Sequence, residues 1–147
     1  MTNYFTPLLL LISSLTFGQS SKQADFSLIV ASCFHGDTIK IILNGYELIT
    51  NETANSDFAT GRTEIEIYQD KAGLWLQTGL QKIKRDRLLI TNQVTLDFFV
   101  NDVKTTKTVD LRKGKILVID NCYVKSVSGE SLKTLTIQQF KKSVTFE

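Results

Sequence analysis

Over residues 26–140 the chain alternates apolar and polar residues with a period of two, in short runs divided by turn residues, and no proline interrupts them. Successive side chains of an extended strand point to opposite faces, so this period describes a sheet with one face covered and one face wet. Proline has no N–H to give to a ladder, and the chain's single proline, Pro7, lies outside the region. No long run repeats apolar residues at intervals of three and four, the pattern a helix needs.

Residues 26–32 form a short apolar run. In residues 38–43, Ile39, Ile41 and Leu43 share one face and Thr38 and Lys40 the other. Asn44-Gly45 follows. Both central residues of a type I′ hairpin turn need φ > 0, which Asn-Gly supplies at low cost. The return strand at 46–50 is expected to pair Leu43 with Tyr46, Ile41 with Leu48 and Ile39 with Thr50. Residues 51–61 are polar and read as a long loop. Alternation resumes at 63–69, with Ile65 and Ile67 inward. It continues at 74–83, where Leu74, Leu76 and Leu80 share a face and Gly79 marks a bulge.

Residues 82–87 read as a basic connector and 87–91 as a short strand. Residues 94–100 and 103–111 form a second hairpin across Asn101-Asp102, setting Val100 against Val103 and Val94 against Val109. Lys107 falls on its apolar face, which suits an edge strand. Residues 115–120 are apolar on both faces, and 122–127 extend them past a bend. For 132–140, helical spacing of Leu132, Leu135 and Gln139 competes with the β-branched Thr134, Thr136 and Ile137, and a strand is the better reading. About eight or nine short strands with regular turns predict an all-β fold. The expected form is an antiparallel β-sandwich, immunoglobulin-like or jelly-roll-like.

Residues 1–18 have another character. An apolar stretch of about ten residues is too short to cross a hydrocarbon core of ~30 Å as a helix, but suits an export signal. The small Gly18 and the polar residues after it place cleavage before Gln19. The expected organisation is therefore a signal peptide at 1–18 and one domain at 19–147, secreted, periplasmic or on the cell surface, with no integral membrane segment in the mature chain. The n-region lacks Lys and Arg, a departure from the usual pattern.

Such an address makes a disulfide the default for an even cysteine count, here Cys33 and Cys122. Val30-Ala31-Ser32-Cys33 also has the form of a lipidation site, but the apolar stretch before it is short and follows Lys22 and Asp25.

A net charge of +2 is too mild for a nucleic-acid binder. His35, the one histidine, stands two residues from Asp37, yet no G-x-S-x-G nucleophile motif occurs. Glu64 and Glu66 share a strand face as any i, i+2 pair does. Asn51, Thr53, Asn55 and Asp57 place oxygens at alternate positions, a weak calcium pattern without the EF-hand glycine. No other cofactor is indicated. Trp75, Tyr68 and Phe99 fall opposite the apolar stripes, where aromatics can stack on a sugar ring or dock a protein. Lys82, Lys84, Arg85 and Arg87 could face an anionic polymer.

The strand–Asn-Gly–strand stretch from Gly36 to Gly45 resembles hairpins of secreted β-sandwich carbohydrate-binding modules, and Phe17-Gly18-Gln19 is similar to the close of Gram-negative bacterial export signals. The expectation is an exported, non-catalytic module that recognises a glycan or a protein at the cell surface. The alternatives are a structural component of an envelope assembly, or a small hydrolase or hydrolase inhibitor.

Overall fold

The structure, a computed structural model, describes residues 25–142; the expected signal peptide lies outside the described residues. Among the described residues ten strands form two layers. They are β1 (Phe26–Val30), β2 (His35–Leu43), β3 (Tyr46–Asn55), β4 (Ile65–Gln69), β5 (Leu74–Thr78), β6 (Gln81–Arg85), β7 (Gln93–Val100), β8 (Val103–Asp110), β9 (Ile116–Lys125) and β10 (Ser131–Phe140). One sheet has the order β10-β9-β1-β4-β5-β6 and the other β3-β2-β7-β8. The fold is a β-sandwich, as the alternation requires. Every pair is antiparallel except β1–β9, which run parallel with Leu28 opposite Leu117.

The core lies between the layers. Leu28, Val30, Ile67, Leu76, Leu117 and Ile119 of the larger sheet meet Ile39, Ile41, Leu43, Leu96 and Phe98 of the smaller, all buried. Two hairpins have the predicted turns: Asn44 and Gly45 both have positive φ (49° and 81°), as do Asn101 and Asp102 (47° and 67°). Leu43–Tyr46, Val100–Val103 and Val94–Val109 pair as expected.

Other expectations are corrected. Bulges shift the β2–β3 register, so Ile41 faces Ile49 rather than Leu48, and Ile39 faces Glu52 rather than Thr50. Residues 51–55, read as loop, continue β3. The single strand at 74–83 is a hairpin, β5–β6. Gly79 (φ 58°) opens its two-residue turn, and Leu80 is fully exposed instead of buried. The basic connector is thereby edge strand β6, while 87–91 form no strand. Residues 132–140 belong to β10.

One open side of the sandwich is closed by polar ties to β10. Lys107 Nζ donates to the Ile137 carbonyl at 2.8 Å, and Gln139 Nε2 to the carbonyls of Asp110 and Gly114 at 2.7 and 2.6 Å. The lysine on the apolar face of β8 thus joins the two edges. Cys33, in the bend after β1, is disulfide-bonded to Cys122 of β9, with Cα atoms 5.0 Å apart. Disulfides persist in oxidising compartments, and this one suits an extracellular setting. Among the described residues no helix is long and apolar enough to cross a membrane.

Candidate functional site

Tyr68 of β4 and Trp75 of β5 are directly opposed cross-strand neighbours on the outer face of the larger sheet. Ile67, Leu74 and Leu76 point into the core, so strand alternation turns these two rings outward, where both are half-buried. Their centroids are 6.1 Å apart with planes 21° from parallel. On the next strand, Lys84 is opposite Trp75 and Lys82 is opposite Gln77. Lys82 Nζ sits 5.1 Å from the Tyr68 centroid and 4.8 Å from that of Trp75, and Lys84 Nζ lies 5.3 Å from Trp75. An ammonium over a ring face is attracted by the ring quadrupole, worth about 0.5–1 kcal/mol at an exposed site.

The turn between β4 and β5 fixes the indole. Asp70 Oδ1 accepts from the Ala72 and Gly73 N–H groups at 2.7 and 3.0 Å, and from Trp75 Nε1 at 3.3 Å. Burial opposes the charge of Asp70, but these donors and nearby Arg87 outweigh it, and its pKa lies below the ordinary carboxylate value. The shelf extends across the sheet: register carries the row from Trp75 and Tyr68 through Ser27 and Ile116 to Phe140.

Phe99 is not part of this shelf. It lies on the outer face of the other sheet, between Lys40 and Lys104, whose ammonium groups are 5.8 and 5.7 Å from its centroid. Those lysines are already neutralised, Lys40 by Glu47 and Lys104 by Asp97. Among the described residues Lys82 and Lys84 make no ion pair. Two aromatic platforms with the same neighbours therefore differ in electrostatics: one is charge-balanced, the other faces solvent with two spare positive charges.

Asn51, Thr53 and Asn55 lie on β3 rather than in a loop. Asn55 Oδ1 accepts from the Gly36 N–H at 2.7 Å, and Asp57 Oδ1 from the Ala59 and Thr60 N–H groups at 2.9 and 2.8 Å. These donors hold the Asp57 carboxyl below its ordinary pKa. Thr53, Asn55 and Asp57 line an open groove of about 850 Å³ with Arg62 and Glu64. Among the described residues no group of three or more His, Cys, Asp or Glu could hold a metal ion.

His35 is exposed, and its main-chain N–H donates to Asp37 Oδ2 at 3.0 Å. Asp37 is also bound by Asn101 Nδ2 and Lys133 Nζ, each at 2.8 Å. Burial works against its charge, but the three donors prevail and lower its pKa. Glu66 accepts from Ser27 Oγ at 3.1 Å and lies 3.7 Å from the Arg62 guanidinium, whereas Glu64 precedes β4. The sequence marks the two rings and, separately, the basic cluster that includes Lys82 and Lys84, but a connector at 82–87 does not put those lysines over the rings; the pairing of β6 with β5 does. Alternation of Lys82 and Lys84 was the available signal.

No protein-family model matches the chain, and no curated protein or solved structure matches it.

Proposed function

We propose that the chain is an exported, non-catalytic recognition module, and that the Tyr68–Trp75 shelf with Lys82 and Lys84 binds an acidic glycan. The observation that carries this reading is the pair of uncompensated lysines directly over two adjacent half-buried rings. A sugar face is apolar and stacks on an aromatic ring, while the carboxylate of a uronic acid satisfies an ammonium. The rings are held by the sheet and the indole by Asp70, so little side-chain entropy is lost on binding. Export accords with the disulfide.

An array of acidic and neutral oligosaccharides tests it. The wild type retains acidic chains in a salt-sensitive manner. Trp75→Ala loses at least about tenfold in affinity, or ~1.4 kcal/mol, and the Lys82→Gln/Lys84→Gln double variant loses the preference for acidic over neutral chains. Binding that is unaltered in Trp75→Ala, or absent for every glycan, refutes the assignment.

The second reading, a component of an envelope assembly, is favoured by the far end of the β9–β10 hairpin. Tyr123, Val124, Val127 and Leu132 are exposed there, and β10 is the edge strand of its sheet. Exposed edges can accept a further strand. Sedimentation as a strict monomer, with no partner captured by crosslinking, counts against it.

A further inference from the structure

We infer that the cleft at the rim of the sandwich, where Asp37, Asn101, Asn121 and Lys133 meet, binds a small molecule presenting a carboxylate to the Asn121 amide and the Lys133 ammonium. The cleft has a volume of about 400 Å³ and lies between the edges of the two sheets, away from the outer-face shelf. Asn121 continues the inward face of β9 beyond Leu117 and Ile119, so alternation sends a polar side chain where the two preceding inward residues are core. It is only 5% exposed, and its Nδ2 finds no acceptor among the described residues. A buried donor left unpaired is costly, and half a turn of the amide about its Cβ–Cγ bond exchanges Nδ2 for Oδ1, so an acceptor held in the cleft can complete it.

The donor and acceptor inventory sets the ligand's chemistry. The Asp37 carboxylate is already met by three donors, from His35, Asn101 and Lys133. Lys133 carries three N–H bonds, of which Asp37 takes one. The Asn121 amide adds two more N–H bonds. With the Asn121 amide turned to bring its N–H groups to the cleft, the spare capacity is for donation, and an occupant must bring acceptors. Asp37 lies on one sheet and Lys133 on the other, so their 2.8 Å ion pair fixes the ammonium at the mouth of the cleft. Val103 and Leu135 give apolar wall, suited to a short aliphatic body. A carboxylate on such a body meets each requirement, whereas a cation would bring donors to donors.

Titration of the folded, disulfide-intact chain with three probes, read by NMR at the Asn121 side-chain amide, tests this. The probes are butyrate as a free acid, N-acetylvaline as the chain-end carboxylate of a peptide, and butylamine as the cationic control. Saturable shifts are expected with at least one carboxylate and none with butylamine; which carboxylate binds more tightly separates a free acid from a peptide end. Asn121→Leu lowers the affinity at least tenfold while the protein stays folded. Should that variant not fold, Lys133→Gln gives the same loss. The inference is overturned if no carboxylate shifts the amide at millimolar concentration and the amide cross-relaxes only with a resident water. It is also overturned if butylamine acts as strongly as butyrate, or if the folded variants titrate like the wild type.

Discussion

Asn44 and Asn101 occupy equivalent corners of the smaller sheet, and each does more than turn the chain. Asn44 donates its N–H to the Thr95 carbonyl of β7 at 2.8 Å, and its Oδ1 accepts the Thr95 N–H at 2.7 Å. Asn101 repeats this with Thr38 of β2, at 2.8 and 2.9 Å. Each therefore prolongs the β2–β7 ladder beyond its own hairpin. The positive φ of both was readable from local sequence; the partners were not, because they lie 51 and 63 residues away. Asn101→Ala removes the side-chain bonds and strains a left-handed position, and should cost about 1–3 kcal/mol in urea denaturation. Asn101→Gly keeps the turn and loses less. Asp37 supplies a pH test. Its folded-state pKa is below the ordinary value of 3.8, so its contribution is full above that value and is lost as pH falls through the folded one. Other depressed carboxyls act in the same direction, Asp110 at about 2 among them. The difference between wild type and Asp37→Asn isolates the effect: the stability gap should narrow as pH falls below about 4. A gap that is constant with pH would remove the ion pair from the account.

At the scale of elements, alternation was a sound guide to faces and a poor one to boundaries. Ile65, Ile67, Leu74, Leu76, Val94, Leu96 and Phe98 are inward as the period of two demands. Leu80 misled because an apolar residue continued the count through a turn, and Gly79 was the signal, since glycine at the first central position admits a type II′ hairpin. The β2–β3 bulges and the parallel β1–β9 pairing leave no mark in local periodicity, because they depend on which strands the core brings side by side. Close approach has a similar hidden origin. A Cβ on Gly114 would stand 2.6 Å from the Phe140 carbonyl oxygen, where Gln139 also docks. Gly114→Ala should push β10 outward and cost about 1–3 kcal/mol by thermal or urea unfolding. An unchanged midpoint would show that the edge is looser than described.

For the whole molecule, the disulfide joins the bend after β1 to β9, the strand that pairs with β1, across a sequence separation of 89 residues. The chain-entropy model assigns such a crosslink about 4–5 kcal/mol, and Cys33→Ala/Cys122→Ala should lose about 2–5 kcal/mol without a change of fold. Equal denaturation midpoints for the oxidised and reduced protein would contradict that. The sandwich, its core and the crosslink were legible because they follow from local alternation and cysteine count. The shelf was half legible: its rings stand opposite the core stripe and its lysines show as a basic cluster, but the two come together only when β6 pairs with β5. Trp75 is the only tryptophan in the chain, so its emission reports on the shelf alone. The direct measurement is a titration of that emission with an oligouronate, set beside its neutral counterpart at low and high salt. A saturable change with the acidic chain, weakened by salt and much smaller with the neutral one, is the predicted result; an emission unmoved by either, in protein shown to be folded, would contradict it.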